Sequence, residues 1–194
     1  MDPSELARGL FRLLETGDPE LATAVVAPDN HNTEAVISPP ACQLAGPPGA
    51  LASSAWLRFA FPDLHFAIGD MLVDADRVWV RLRMRGRHTG PFVRFRDGRL
   101  DQAIPPTGRE IDVEQIHLLW LRDGQMVRHE ALQDVVTMLG QLGVFPPRPA
   151  TMARMLLWRL TGQARRAAGE VTERAARAAD LLTAPATGGA ETGG

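Results

Sequence analysis

Lysine and tyrosine are absent from this 194-residue chain, and cysteine occurs once, as Cys42. All 21 basic residues are therefore arginine. A single cysteine excludes an internal disulfide and a cysteine-rich metal site, and it is the usage expected of a reducing cytoplasm. No apolar run approaches the roughly 20 residues of a membrane-crossing helix. The acidic opening Met1-Asp2-Pro3-Ser4-Glu5 lacks the apolar stretch of a secretion signal, so none is expected. A net charge of −2 gives no general attraction to nucleic acid or acidic lipid. A phosphate-cradling glycine-rich loop, a G-x-S-x-G elbow and an H-E-x-x-H helix are all missing, which argues against nicotinamide, ATP and zinc chemistry. The missing lysine reads as a bias toward Arg, Ala, Gly and Pro, because bidentate anion binding by arginine needs a site of its own.

What is present orders itself as helices followed by paired strands, the signature of an α+β fold. Ser4 is a candidate cap for a first helix with apolar Leu6, Leu10, Phe11, Leu13 and Leu14 along one stripe. Asp18 with Pro19 starts a second, short helix, and a loop is expected over Ala27–Asn32. A third helix is predicted over about Ala50–Phe61 and a strand over Leu64–Leu72. In the next strand Val78, Val80, Leu82 and Met84 alternate with Arg81, Arg83, Arg85 and Arg87, giving an apolar face and a solvated or inter-subunit arginine face. Residues 90–108 read as a loop, with a hairpin about Asp97-Gly98. Glu110–Leu121 and Met126–Ala131 form a strand pair about the turn Asp123-Gly124. Asp134–Leu142 reads as a helix that stops at Gly143. Pro146-Pro147-Arg148-Pro149 closes a domain of residues 1–145, and Met152–Leu182 continues as one long amphipathic helix. Residues 146–183 form this helical extension, and residues 184–194 a disordered tail. The first 145 residues carry 14 Arg and 19 acids, net −5, and the remainder 7 Arg and 4 acids, net +3. A basic helix can lie on a membrane surface, but alanine anchors weakly, so packing on its own domain or on a second copy is preferred.

The chemistry concentrates on the strand Val113–Leu121. Period two puts Gln115 and His117 on the apolar face with Val113, Leu119 and Leu121. Buried polar groups need partners, so this face holds either a structural histidine bonded to backbone or a pocket for a polar ligand. Asp134, after the return strand, has two readings: the N-cap of the helix that follows, or a carboxyl whose pKa is raised by burial and which shuttles a proton.

Four segments resemble the SnoaL-like polyketide cyclases of the nuclear transport factor two-like superfamily. They are Asp29-Asn30-His31-Asn32; Phe61-Pro62-Asp63-Leu64; Gly86-Arg87-His88-Thr89-Gly90 with Pro105-Pro106-Thr107-Gly108-Arg109-Glu110-Ile111; and Asp123-Gly124-Gln125-Met126-Val127 with Asp134 and Met138-Leu139-Gly140-Gln141-Leu142-Gly143. Their order and spacing match over about residues 5–145. The resemblance implies a cone formed by a curved mixed or antiparallel sheet and closed by N-terminal helices, and acid–base catalysis with no cofactor and no metal. It implies that Asp134 removes an acidic CH proton from a polyketide ester and returns it to the alkoxide after intramolecular aldol closure. Gln115 and His117 would hold the substrate's oxygens, and Asn32 would line the pocket. His31, His88, His129, Glu130 and Trp120 complete the candidate set.

Three departures from the pattern stand out. Glu130 occupies a position where many relatives carry Trp, the segment from Phe92 to Ile104 is longer than usual, and the helix after Pro149 is extra. The expected function is a cofactor-independent ester cyclase of secondary metabolism, acting on a hydrophobic small molecule as a homodimer or higher homo-oligomer. An isomerase, dehydratase or hydrolase on the same cone is the first alternative, and a non-catalytic small-molecule-binding module the second. Asp134 buried at a cavity floor and facing His117 would favour the enzymes. Asp134 serving only as a solvent-exposed cap would favour the binding module.

Overall fold

The computed structural model describes residues 1–183; the tail expected over 184–194 lies outside the described residues. Helix α1 (Pro3–Thr16) begins on Asp2 rather than on Ser4. The Asp2 carboxylate accepts the Ser4 and Glu5 N–H groups while Pro3 fills the first helical position, where a missing N–H costs nothing. Gly17, at φ +72°, ends the helix and donates its N–H to Leu13. Helix α2 (Pro19–Val25) starts on Asp18 as expected. The next segment departs from expectation: Val26–Asn32 is a strand, β1, parallel to the last strand of the sheet. Its turn-forming Pro, Asp and Asn residues mask it in the sequence, but an edge strand tolerates them once a neighbour supplies hydrogen bonds.

Helix α3 (Gly46–Ala60) follows two short 3-10 turns, Thr33–Ile37 and Pro40–Gln43. Strands β2 (His65–Asp74) and β3 (Arg77–Arg87) come next, then β4 (Phe92–Arg96) and β5 (Arg99–Ile104), then β6 (Glu110–Arg122) and β7 (Gln125–Gln133). The curved sheet has the order β1-β7-β6-β3-β2, antiparallel except for β1 with β7, and β4-β5 form a separate hairpin. Asp97-Gly98 and Asp123-Gly124 turn their hairpins with positive φ at both positions, the backbone that matches strand twist.

The alternation in β3 is realised. Val78, Val80, Leu82 and Met84 face inward with Ile111, Val113 and Leu119 of β6, and α1 packs over them through Leu6, Leu10 and Leu13. On the outer face Arg81 pairs with Glu114, Arg83 with Asp112 at 2.6 Å and Arg87 with Glu110 at 2.8 Å. Exposed pairs of this kind contribute only about 0–1 kcal/mol each. The arginine face is thus a ladder of cross-strand ion pairs rather than an anion site.

Helix α4 (Val135–Gln141) stops before Gly143. The expected single helix over 152–182 is two: α5 (Pro149–Leu160) and α6 (Gln163–Thr183), broken where Gly162 takes φ +78°. The apolar stripe divides with them. In α6 Ala164, Ala168, Val171, Ala175 and Ala179 are buried against α3, with Arg174 over the Phe59 ring at 5.0 Å. In α5 Met152, Leu156 and Leu160 stay exposed. No helix among the described residues is long and apolar enough to cross a membrane.

Candidate active site

An open cavity of about 390 Å³ lies on the concave side of the sheet. This is within the usual range for small-molecule sites. Leu10 and Leu14 of α1, Trp56 and Leu57 of α3, Phe66 of β2, and Met138 and Leu139 of α4 supply most of its apolar wall. The polar wall is short: Asn30 and Asn32 from β1, Glu34 and Ser38 beyond it, Ser53 from α3, Arg94 from β4, Gln115 and His117 from β6, and His129 and Gln133 from β7.

Inside this wall runs a buried chain of hydrogen bonds. His117 Nε2 lies 2.9 Å from Gln115 Oε1, and His117 Nδ1 lies 2.8 Å from His129 Nε2. Gln115 Oε1 can only accept, so Nε2 of His117 carries the proton and its Nδ1 accepts from Nε2–H of His129. That assignment leaves His129 Nδ1 as a basic lone pair with no hydrogen-bond partner among the described residues. The two rings stack at 5.1 Å and 7°, and Phe11 meets His117 edge-on at 4.9 Å. Burial holds both imidazoles neutral: it pushes His129 down to about 4 and, with the adjacent His129 as a lesser cause, His117 well below 6.5. Gln115 Nε2 donates only to the Met84 thioether, at 3.4 Å. Both ring nitrogens of His117 are engaged within the protein, His129 is held through one of them, and Gln115 Nε2 is held only by a weak acceptor.

The structure brings His117, Gln115, Asn32 and His129 together at the cavity and places the other candidates elsewhere. Asp134 is exposed and caps α4: Oδ1 accepts the Thr137 N–H at 2.9 Å and Oδ2 accepts the Thr137 hydroxyl at 2.6 Å. These bonds hold its pKa below the usual 3.8, opposite to the raised value that a buried proton shuttle needs. The expectation of a carboxyl dried out inside the cone is not met at this residue: Asp134 is exposed at the rim, its side chain turned to Thr137, while its neighbours Gln133 and Val135 line the cavity. Glu130 also points away, pairing with Arg128, whose guanidinium covers the Trp120 ring at 4.6 Å on the outer face. His31 is exposed. His88 is fully buried under Phe61, with Nδ1 3.0 Å from the Thr107 hydroxyl, and does not reach the cavity.

Sequence reasoning missed Glu34, the one carboxylate on the cavity wall among the described residues. Two contacts hold it there. Asn32 Oδ1 accepts the Glu34 N–H at 3.0 Å, starting the 3-10 turn, and Glu34 Oε1 accepts the Ala131 N–H of β7 at 3.0 Å. The signal was available as Asn32-Thr33-Glu34, a local cap, but it carries weight only once β1 is known to lie beside β7. Asn30 and Arg94 were missed too, the first in a presumed loop and the second in the long segment after Phe92. By the criterion set for Asp134, its exposed cap weighs toward a binding module. The cavity instead carries a carboxylate from another element.

A curved α+β cone around an apolar cavity, with one carboxylate and a neutral histidine pair in its wall, defines a small-molecule acid–base fold. The model of the family described as SnoaL-like polyketide cyclase matches residues 4–142, and the chain belongs to that family. Its relatives include aklanonic acid methyl ester cyclase DauD of Streptomyces sp. (strain C5), 29% identical over 147 residues, 75% of this chain and 84% of that protein. Aklanonic acid methyl ester cyclase DnrD of Streptomyces peucetius is 29% identical over 147 residues, 75% of this chain and 93% of that protein. The crystal structure of IdmH from Streptomyces antibioticus aligns with TM-score 0.57 and 31% identity, covering 74% of this chain and 100% of that one. The family and its named members place the chain among polyketide cyclases, enzymes of small hydrophobic substrates. Helices α5 and α6 lie beyond the matched segment.

Proposed function

We propose that the cavity closes a ring in a polyketide ester of the kind for which the relatives are named, aklanonic acid methyl ester, by proton transfer at Glu34 and His129. The observation that supports this reading is the placement of Glu34 and the neutral Gln115–His117–His129 chain on one mostly apolar wall. A CH flanked by carbonyls is acidic already, so the protein's task is to hold the chain ends in register and take the proton. Holding both ends removes a large entropic barrier. Glu34, with Oε1 tied to the Ala131 N–H, keeps Oε2 as the proton acceptor. The enolate carbon then attacks the second carbonyl, and the new alkoxide takes a proton back. Atoms balance, since the reaction is an isomerisation. Donors aimed at the developing oxyanion contribute several kcal/mol in such sites, and in this reading the Asn32 and Gln115 amides on the wall supply them. Incubation with aklanonic acid methyl ester tests the reading. The expected product has the same mass and one more ring, and recovery of unchanged ester with folded protein would sink it.

Pairing of two copies through the outer face of the sheet belongs to the same proposal. Trp79, Ile116 and Leu72 are exposed there among the ion-paired arginines, an apolar set that a second copy would cover. Light scattering is expected to give about twice the chain mass of 21.1 kDa; a monomer would remove this part of the proposal.

A further inference from the structure

The apolar stripe of the C-terminal extension meets two different fates. In α6 its alanines are buried against the domain. In α5 the larger side chains stay in solvent: Met152 is 49% exposed, Leu156 57%, Leu157 60% and Leu160 74%. At about 100° per residue, Met152, Leu156 and Leu160 stand in one row along the helix, and Leu157 widens that row into an arc. Single exposed leucines are ordinary on a protein surface, but this set on neighbouring turns of one helix is a patch that calls for a cover.

The orientation of α5 is fixed from its other side. Met155 and Trp158 pack on the core, the Thr151 hydroxyl donates to the Gly143 carbonyl at 3.1 Å, and the Arg154 guanidinium donates to the Pro106 carbonyl at 2.7 Å. The arc therefore faces away from the domain, with Arg159 just to one side of it and Arg154 to the other. The charge around it has one sign. From Val135 to Gly169 the chain has Arg148, Arg154, Arg159, Arg165 and Arg166 and no acid. The ion pairs of α6, Arg174 with Glu170 and Arg177 with Glu173, come only further along the chain.

We propose that α5 lies in the surface of a membrane that carries anionic lipid, with its leucine arc among the acyl chains and its arginines at the headgroup phosphates. A helix in the plane of the interface needs an apolar arc with basic flanks, and it does not need the length or apolarity to cross the bilayer, which no helix among the described residues has. The weak anchoring expected of alanine does not count against α5, because the alanines are the half of the stripe that packs and the leucines the half that stays free. Arginine suits the boundary, since its stem rests on apolar surface while its head reaches a phosphate. Two other covers fit less well. A second copy docked α5 on α5 would bring like arginines together, with no acid between Val135 and Gly169 to meet them. Residues 184–194 offer only alanine and proline as apolar side chains. The helix also lies beyond the segment that matches the family, so this surface belongs to the extension and not to the cyclase domain.

The test is flotation of the intact chain with vesicles of phosphatidylcholine alone and of phosphatidylcholine with phosphatidylglycerol. Partition into the anionic vesicles is expected to be at least about 10-fold stronger, the gain from a few arginines near an anionic surface. It is expected to fall as the screening length shrinks from about 10 Å at 0.1 M salt to about 3 Å at 1 M. Leu156→Gln with Leu160→Gln is expected to abolish binding to both vesicles, and Arg148→Gln with Arg159→Gln to remove most of the anionic preference. All four positions are exposed, so melting temperatures are expected to hold. If the leucine pair fails to fold, Leu160→Gln alone, at the most exposed position of the arc, carries the test with a partial loss. No binding by the wild type, equal binding to the two vesicles, or binding that survives the leucine substitutions overturns the proposal. So does a dimer by light scattering that falls to a monomer in the leucine variants, because the arc would then be covered by a second copy. Vesicle binding is read without turnover, so the result stands apart from the cyclase reading.

Discussion

Glu34→Gln is expected to lower kcat by about 100- to 10,000-fold with little change in KM, the range lost when a positioned general base is removed. The substitution is a sharp probe because glutamine keeps the oxygen that accepts the Ala131 N–H and the shape of the side chain. Only the charge and the basic lone pair go. Asp134→Asn is expected to leave kcat within about threefold, since asparagine caps a helix as well as aspartate does and residue 134 stands outside the cavity wall. The two variants exchange outcomes if the base is the residue that the family resemblance first implied. Steady-state kinetics on the cyclised ester read the difference directly. Full activity in Glu34→Gln would transfer the proton step to His129, whose Nδ1 is the remaining open base on the wall.

The contrast between Asp134 and Glu34 shows what this sequence discloses and what it withholds. The alternation of β3 and the paired strands about Asp123-Gly124 were legible because side-chain period and turn chemistry are local properties. Gln115 and His117 were legible as buried polar residues for the same reason: two polar side chains in phase with Val113 and Leu119 must be met by something, though whether by the protein or by a ligand stayed open. Glu34 was hidden because its placement depends on a parallel pairing between Asn32 and His129, nearly 100 positions apart, in a segment whose Pro, Asp and Asn argue for a loop. The register that defines the site is a tertiary fact. Asp134 went the other way. Its sequence position just after the return strand favours a cap, and the structure has that cap, with the Asp134 carboxylate on Thr137 while its neighbours Gln133 and Val135 line the cavity. The split of the last helix at Gly162 belongs with Glu34 among the hidden features, since the apolar stripe runs across the break without interruption.

Stability is expected to fall steeply with acid between pH 6.5 and pH 4, because three histidines are folded into places that tolerate only the neutral ring. Burial pushes His88, with the nearby Arg154 as a lesser cause, and His129 down to about 4, and carries His117 well below its ordinary value. His88 has the same one-proton constraint as the cavity pair. Its Nδ1 accepts from the Thr107 N–H at 3.3 Å, so the proton sits on Nε2, which is buried without a partner among the described residues. In the unfolded chain each ring protonates near pH 6.5, while in the native state His88 and His129 stay neutral down to about pH 4 and His117 is held neutral well below its ordinary range. Between those limits the unfolded state binds more protons, so stability rises with pH through the window and is complete above 6.5. For His88 and His129 a displacement of this size corresponds to roughly 3 kcal/mol each, against a total of about 5–15 kcal/mol for a folded domain. Near pH 5 unfolding is expected to take up roughly two protons through His88 and His129, with His117 adding to that number. Urea midpoints measured from pH 7.5 to 4.5 give that number from their slope, and NMR titration of the ring protons assigns it by residue. A flat profile, or native histidines that titrate near 6.5, would show that the rings are hydrated, and the neutral proton chain behind His129 would go with them.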